Sequence, residues 1–160
     1  MKCEIRDSCF DPWEELRHFQ DHELGHKAKY GATASFVGTM RDVNAGNIVE
    51  MMTLEHYPGM TDKHLREISE KAKQQWDILD TLIIHRVGEL RPNDPIVLIA
   101  VWSAHRAAAF EACRFLIEEL KSRAPFGRRR RWARKCAGLD KTPPLSDTTS
   151  ATLWVSARMG

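Results

Sequence analysis

Thr81-Leu82-Ile83-Ile84-His85-Arg86-Val87 and Ile96-Val97-Leu98-Ile99-Ala100-Val101-Trp102, the second followed at once by Ser103-Ala104-His105-Arg106, decide how this chain folds. Both runs are apolar and rich in β-branched residues, which suit a pleated and buried surface. Between them, Arg91-Pro92-Asn93-Asp94-Pro95 has the composition of a turn. Two strands are therefore predicted. Ser103 then offers a helix N-cap, and the pattern from about residue 104 to 122, stopped by Pro125, predicts a long helix.

Working outward, Asp11-Pro12 followed by Trp13, Leu16 and Phe19 reads as an N-cap, a proline at the first helical position and an apolar stripe, so a short helix should run to about Gly25. Residues 32–37 alternate as a strand does, and Gly38 should break it; residues 41–47 read as a loop. Residues 48–56 form a further strand pattern. Pro58-Gly59 supplies a turn, Thr61 an N-cap and Asp62 a first-turn acid, opening a helix with Leu65, Ile68, Ala72 and Trp76 at helical spacing. This mixture of strands and helices without an internal repeat indicates an α+β domain. Beyond Phe126 the texture turns Arg-, Pro-, Ser- and Thr-rich, and only Leu153-Trp154-Val155 again looks like a strand. The expected division is a domain over 1–126, a mobile insertion over 127–150 and a C-terminal strand and tail over 151–160.

The 160 residues are long enough to bury a core, with 42% hydrophobic and 29% charged, and no apolar run approaches the roughly 20 residues needed to span a bilayer. Met1-Lys2-Cys3-Glu4 lacks an apolar signal core, which points to the cytoplasm. Cys3, Cys9, Cys113 and Cys136 form no CxxC pair, arguing against a zinc ribbon or a disulfide framework and for free thiols. A net charge of +2 demands no polyanionic partner, and the basic run at 128–131 reads as a solvated segment rather than a nucleic-acid site. GxSxG, P-loop and GxGxxG patterns are absent, so hydrolase and nucleotide-binding readings lack support.

Three places could carry chemistry. At His105 and Arg106 a helix opens directly after a buried strand, so unpaired backbone N–H groups and two cation-capable side chains suit an anion such as phosphate; the alternative is a packed histidine and a surface arginine. Lys121 falls on the helical face of Phe110 and Ile117, near Arg114. It is either a snorkelling cation near a helix C-terminus, or a desolvated amine able to act as a nucleophile or acid/base group. His18, His22 and His26 recur every four residues, yet Gly25 interrupts the last turn and no cysteine or carboxylate motif accompanies them, so no metal is assigned. His56 and His85, at strand ends, read as hydrogen-bonded core or rim residues.

Six segments stand out in order along the chain: Gly38-Thr39-Met40-Arg41, Leu54-Glu55-His56-Tyr57-Pro58-Gly59-Met60-Thr61, His85-Arg86-Val87-Gly88-Glu89-Leu90, Ser103-Ala104-His105-Arg106, Phe110-Glu111-Ala112 and Leu120-Lys121-Ser122-Arg123-Ala124-Pro125-Phe126. Together they resemble the MoaE family, the large subunits of molybdopterin synthase. The likeness covers about residues 31–126. It implies an α/β-hammerhead fold with an additional small antiparallel β-sheet, and a homodimer carrying a small ubiquitin-like sulfur-carrier subunit of the MoaD type at each end of a heterotetramer. The carrier's C-terminal thiocarboxylate would supply sulfur to cyclic pyranopterin monophosphate, with no metal or organic cofactor. By matching positions, Lys121 would be the catalytic lysine, and Arg41, His105 and Arg106 would hold the substrate. After Phe126 the chain departs from the family pattern. Arg128 stands where a second functional lysine is usual, keeping the charge but not readily shedding its proton. Arg158 aligns with the family's C-terminal arginine. Arg128 and the altered tail leave a second reading, a non-catalytic or weakened homologue that still docks the carrier.

Overall fold

Antiparallel pairing of the two apolar runs, Asp80 opposite Trp102 and His85 opposite Val97, makes the centre of the main sheet. The computed structural model describes residues 1–25, 29–44, 47–123 and 126–132. In chain order they form β1 (Lys2–Arg6), α1 (Pro12–His18) continued by a π-helical turn (Phe19–Glu23), β2 (Ala32–Thr39), β3 (Val43–Asn44), β4 (Asn47–His56) and α2 (Met60–Gln75). There follow β5 (Asp80–Arg86), β6 (Gly88–Leu90), β7 (Pro95–Ser103), α3 (Arg106–Arg123) and β8 (Phe126–Trp132).

The main sheet has the order β1-β5-β7-β2. Only β1 and β5 run parallel, with Lys2 opposite Leu82 and Arg6 opposite Arg86. β5 and β7 are buried on both faces, which is why their sequences read as continuous apolar runs rather than alternating ones. On one face Ile83, Val97, Ile99 and Val101 pack against Leu65, Ile68 and Ala72 of α2 and Ala109, Ala112, Leu116 and Leu120 of α3. On the other, Leu82, Ile84, Leu98, Ala100 and Trp102 meet Phe10, Phe19 and Leu24. Each fully buried Leu or Ile contributes about 1.5–3 kcal/mol, so this three-layer core is the main source of stability.

β4 centres a second, antiparallel sheet. Its residues Met52, Thr53 and Leu54 pair with β6 on one edge and with β8 on the other, while β3 folds back onto its start. Met40, Met52, Leu54 and Leu90 close a small core beneath it. An α+β architecture with an additional small antiparallel sheet, as the resemblance implied, is what the chain adopts.

Local differences from the sequence reading have physical causes. The strand expected to break at Gly38 continues to Thr39, with a register shift between those two residues instead of a stop. The expected loop over 41–47 contains β3. Asp11 caps α1 as expected, accepting from Trp13 N at 2.7 Å and Glu14 N at 3.2 Å. Thr61 is not the cap of α2. Gly59, at φ 80°, reverses the chain there, Asp62 accepts from Gly59 N at 3.2 Å, and the buried Thr61 hydroxyl donates to Tyr57 O at 3.1 Å. The basic run, expected to open a mobile insertion at 127, takes strand conformation as far as Trp132. Phe126–Trp132 is a strand because the free edge of β4 supplies its backbone partners, from His56 opposite Phe126 to Val49 opposite Trp132. The rest of that stretch and the 151–160 tail lie outside the described residues.

Candidate functional site

The direction of α3 organises the candidate cations. β7 runs to Ser103, beside Ala32 at the start of β2, and α3 then returns along the sheet toward the Thr39–Pro95 end. Fifteen residues separate Arg106 from Lys121, a helical rise of about 23 Å at ~1.5 Å per residue. The structure therefore places the expected site residues in two groups within one chain.

Lys121, Arg41 and the start of β8 occupy the first end. The Lys121 amine lies 5.9 Å from the centre of the Phe36 ring, a cation–π contact between α3 and the edge strand β2. Lys121 is exposed, which fits the snorkelling cation of the two alternatives and not the desolvated amine. The reason is visible along that face: Ile117 is buried, but Phe110 is 65% exposed, so the stripe is the rim of the core and not its centre. Arg41, also exposed, follows directly on Met40, whose backbone is paired to the 91–94 turn through Met40 N to Asp94 O and Asn93 N to Met40 O, both 2.9 Å. Gly127 faces Glu55 and Arg128 faces Leu54 across the β4–β8 ladder. Nearby, the His85 ring stacks on Phe126 with centres 3.9 Å apart, and its Nδ1 donates to Arg86 O at 2.9 Å, as expected of a core histidine.

His105 and Arg106 occupy the other end, both exposed. Ser103 is not the N-cap the sequence predicted: it ends β7, α3 opens only at Arg106, and the buried Ser103 hydroxyl instead anchors the intervening turn, donating to Asp77 O at 2.7 Å and accepting from His105 N at 3.2 Å. Gly31 is required beside it. Its N–H donates to Ser103 O at 3.0 Å, and a Cβ there would stand 2.6 Å from Ala104 O. No acidic residue sits in the first turn of α3, so the positive helix end is uncompensated and suits an anion.

His18 and His22 stack with ring centres 4.7 Å apart, and His22 Nδ1 lies 3.1 Å from His18 O; His26 and Arg158 lie outside the described residues. Cys3, Cys9 and Cys113 are free thiols, and Cys136 lies outside the described residues. Sequence reasoning missed Phe36 as the partner of Lys121, because strand alternation reveals which face a residue takes but not which helix lies over it. It also missed Arg86, buried to 9% exposure and facing Asp94; the only trace was a charge inside an apolar run.

This arrangement, an α+β domain with cations gathered at both ends of its last long helix, has close relatives. The family model described as MoaE protein matches residues 7–123. The molybdopterin synthase catalytic subunit of Ralstonia nicotianae is 53% identical over 128 residues, covering 80% of this chain and 72% of the relative. That of Pseudomonas aeruginosa is 40% identical over 158 residues, covering 99% of this chain and 92% of the relative, so the similarity runs through the basic stretch. The crystal structure of molybdopterin synthase from Staphylococcus aureus superposes with a TM-score of 0.72 at 32% identity, covering 84% of this chain and 95% of that one. The chain belongs to the MoaE family. Among the described residues, no helix is long and apolar enough to cross a membrane.

Proposed function

We propose that this chain is the catalytic subunit of a molybdopterin synthase, moving sulfur from the thiocarboxylated C-terminus of a small ubiquitin-like carrier onto cyclic pyranopterin monophosphate to build the molybdopterin dithiolene. The reading rests on one observation above others: a chain 53% identical to a molybdopterin synthase catalytic subunit also places cations at both ends of α3. Lys121 serves proton transfer at the reacting pterin, Arg128 adds a fixed positive charge, and Arg41, His105, Arg106 and Arg158 hold the phosphorylated substrate. Each role follows from residue type. A phosphate calls for forked or clustered donors, and a proton-transfer step calls for an amine that can exchange its proton.

The two ends of α3 are too far apart to touch one small substrate in a single chain. A pocket containing Lys121 and His105 with Arg106 therefore needs two protomers, with α3 of one antiparallel to α3 of its partner. The exposed Phe110, on the same helical face as Lys121, supplies apolar surface for that seam. The assembly is a homodimer flanked by two carriers, working in the cytoplasm, where the thiols of Cys3, Cys9 and Cys113 stay reduced.

Reconstitution tests this directly. The protein is mixed with the thiocarboxylated carrier and the pyranopterin precursor, and molybdopterin is measured. Product formation is expected; complex formation without product would mark a homologue that only docks the carrier.

A further inference from the structure

Arg86 ends β5 with its guanidinium nine-tenths buried, an expensive place for a charge. Its Nη2 donates to Glu89 O at 3.2 Å, and its Nη1 lies 3.1 Å from Asp94 Oδ2. Neither Nε nor Nη1 has an acceptor aligned for a hydrogen bond, so the Asp94 carboxylate acts as a counter-charge rather than a bidentate clamp. The same carboxylate oxygen accepts from Arg91 N at 2.9 Å, closing a turn in which Asn93 takes the left-handed φ of 72°. That turn grips Met40 from both sides of its peptide unit, and Met40 is itself sunk in the small core beneath the second sheet. Arg41 is the next residue. The chain of contacts thus runs from a buried arginine and its partly exposed carboxylate partner, through one turn, to the backbone that launches an exposed arginine.

We propose that the Arg86–Asp94 ion pair is a positioning device for Arg41, fixing the direction from which that side chain reaches the substrate phosphate; this rests on the role given to Arg41 above. Ion pairs of low exposure are often no better for stability than apolar pairs of similar volume, so stability alone does not account for this one. What the charged pair supplies is a tether: it holds the end of β5 to the 91–94 turn, and the turn holds Met40. In this role Arg86 and Asp94 act through Arg41.

The test is a double-mutant cycle on the assembled synthase, measuring KM and kcat for the pyranopterin precursor and affinity for the carrier in Asp94→Asn, Arg41→Ala and the combined variant. Asp94→Asn should raise KM about tenfold while leaving kcat within about twofold and carrier affinity unchanged. Combined with Arg41→Ala, it should add less than about twofold to KM, because the group it positions is gone. A raised KM for Arg41→Ala together with an unchanged KM for Asp94→Asn, or with effects that multiply independently, would overturn the positioning role alone. An unchanged KM for Arg41→Ala would overturn the phosphate role of Arg41 and this proposal with it. Should Asp94→Asn fail to fold, Asp94→Glu keeps the charge but displaces the turn, and the same cycle is read on that variant with the same two outcomes.

Discussion

The amine of Lys121 stands 5.9 Å from the centre of the Phe36 ring, so the end of the last helix and the edge strand of the main sheet share one cationic corner. The ring face attracts the ammonium through its quadrupole. Lys121→Ala should lower sulfur transfer by about 100-fold or more, the usual scale for removing an acid/base group. Size-exclusion chromatography should still show the carrier bound. Near-normal turnover in this variant would remove Lys121 from the chemistry.

Because α3 separates its two cationic ends by about 23 Å, complementation between protomers is expected. Lys121→Ala and Arg106→Ala proteins, each inactive alone, should regain about a quarter of wild-type turnover when unfolded and refolded together, since half of the dimers are mixed and each mixed dimer has one intact pocket. Mixtures no more active than the parents would place both ends in separate sites.

Gly31 touches the turn between β7 and α3 directly, through its N–H to Ser103 O and its close approach to Ala104 O. Gly31→Ala should cost about 1–3 kcal/mol of stability by overpacking and should raise KM for the precursor by shifting Ala104 and His105. Thermal unfolding and steady-state kinetics check the two effects. A variant with wild-type KM would show that the turn tolerates displacement.

Burial pushes the Cys113 thiol up to about 11 from an ordinary 9.0. The folded chain therefore keeps this proton where the unfolded chain releases it, so the contribution is whole below pH 9.0 and is lost as pH rises toward about 11. Within that window the slope approaches ~1.4 kcal/mol per pH unit. Denaturant titrations from pH 8 to pH 11 should show Cys113→Ala losing less stability than the parent across the window. Parallel curves would mean that the thiolate is tolerated in the core.

Much of this molecule is legible in its sequence. β5 and β7 announced themselves because a strand buried on both faces must be apolar throughout, and α3 because its buried residues recur at helical spacing between a serine and a proline. The anion-capable turn at Ser103 to Arg106 was readable for the same local reason: a strand end and a helix start meet there. The segments shared with the MoaE family carried the rest of the functional reading.

What only the tertiary structure decided depends on partners distant in the chain. β1 and β8 have polar or basic sequences with no strand pattern of their own, and they are strands because β5 and β4 offer backbone edges to them. Lys121 sits on Phe36, and Arg86 faces Asp94, through packing that residue spacing does not encode. The placement of the cations at opposite ends of α3 follows from how a rigid helix lies along a sheet. A sequence states which side chains exist and which local periodicities they favour; the distance between two of them is set by every element packed between.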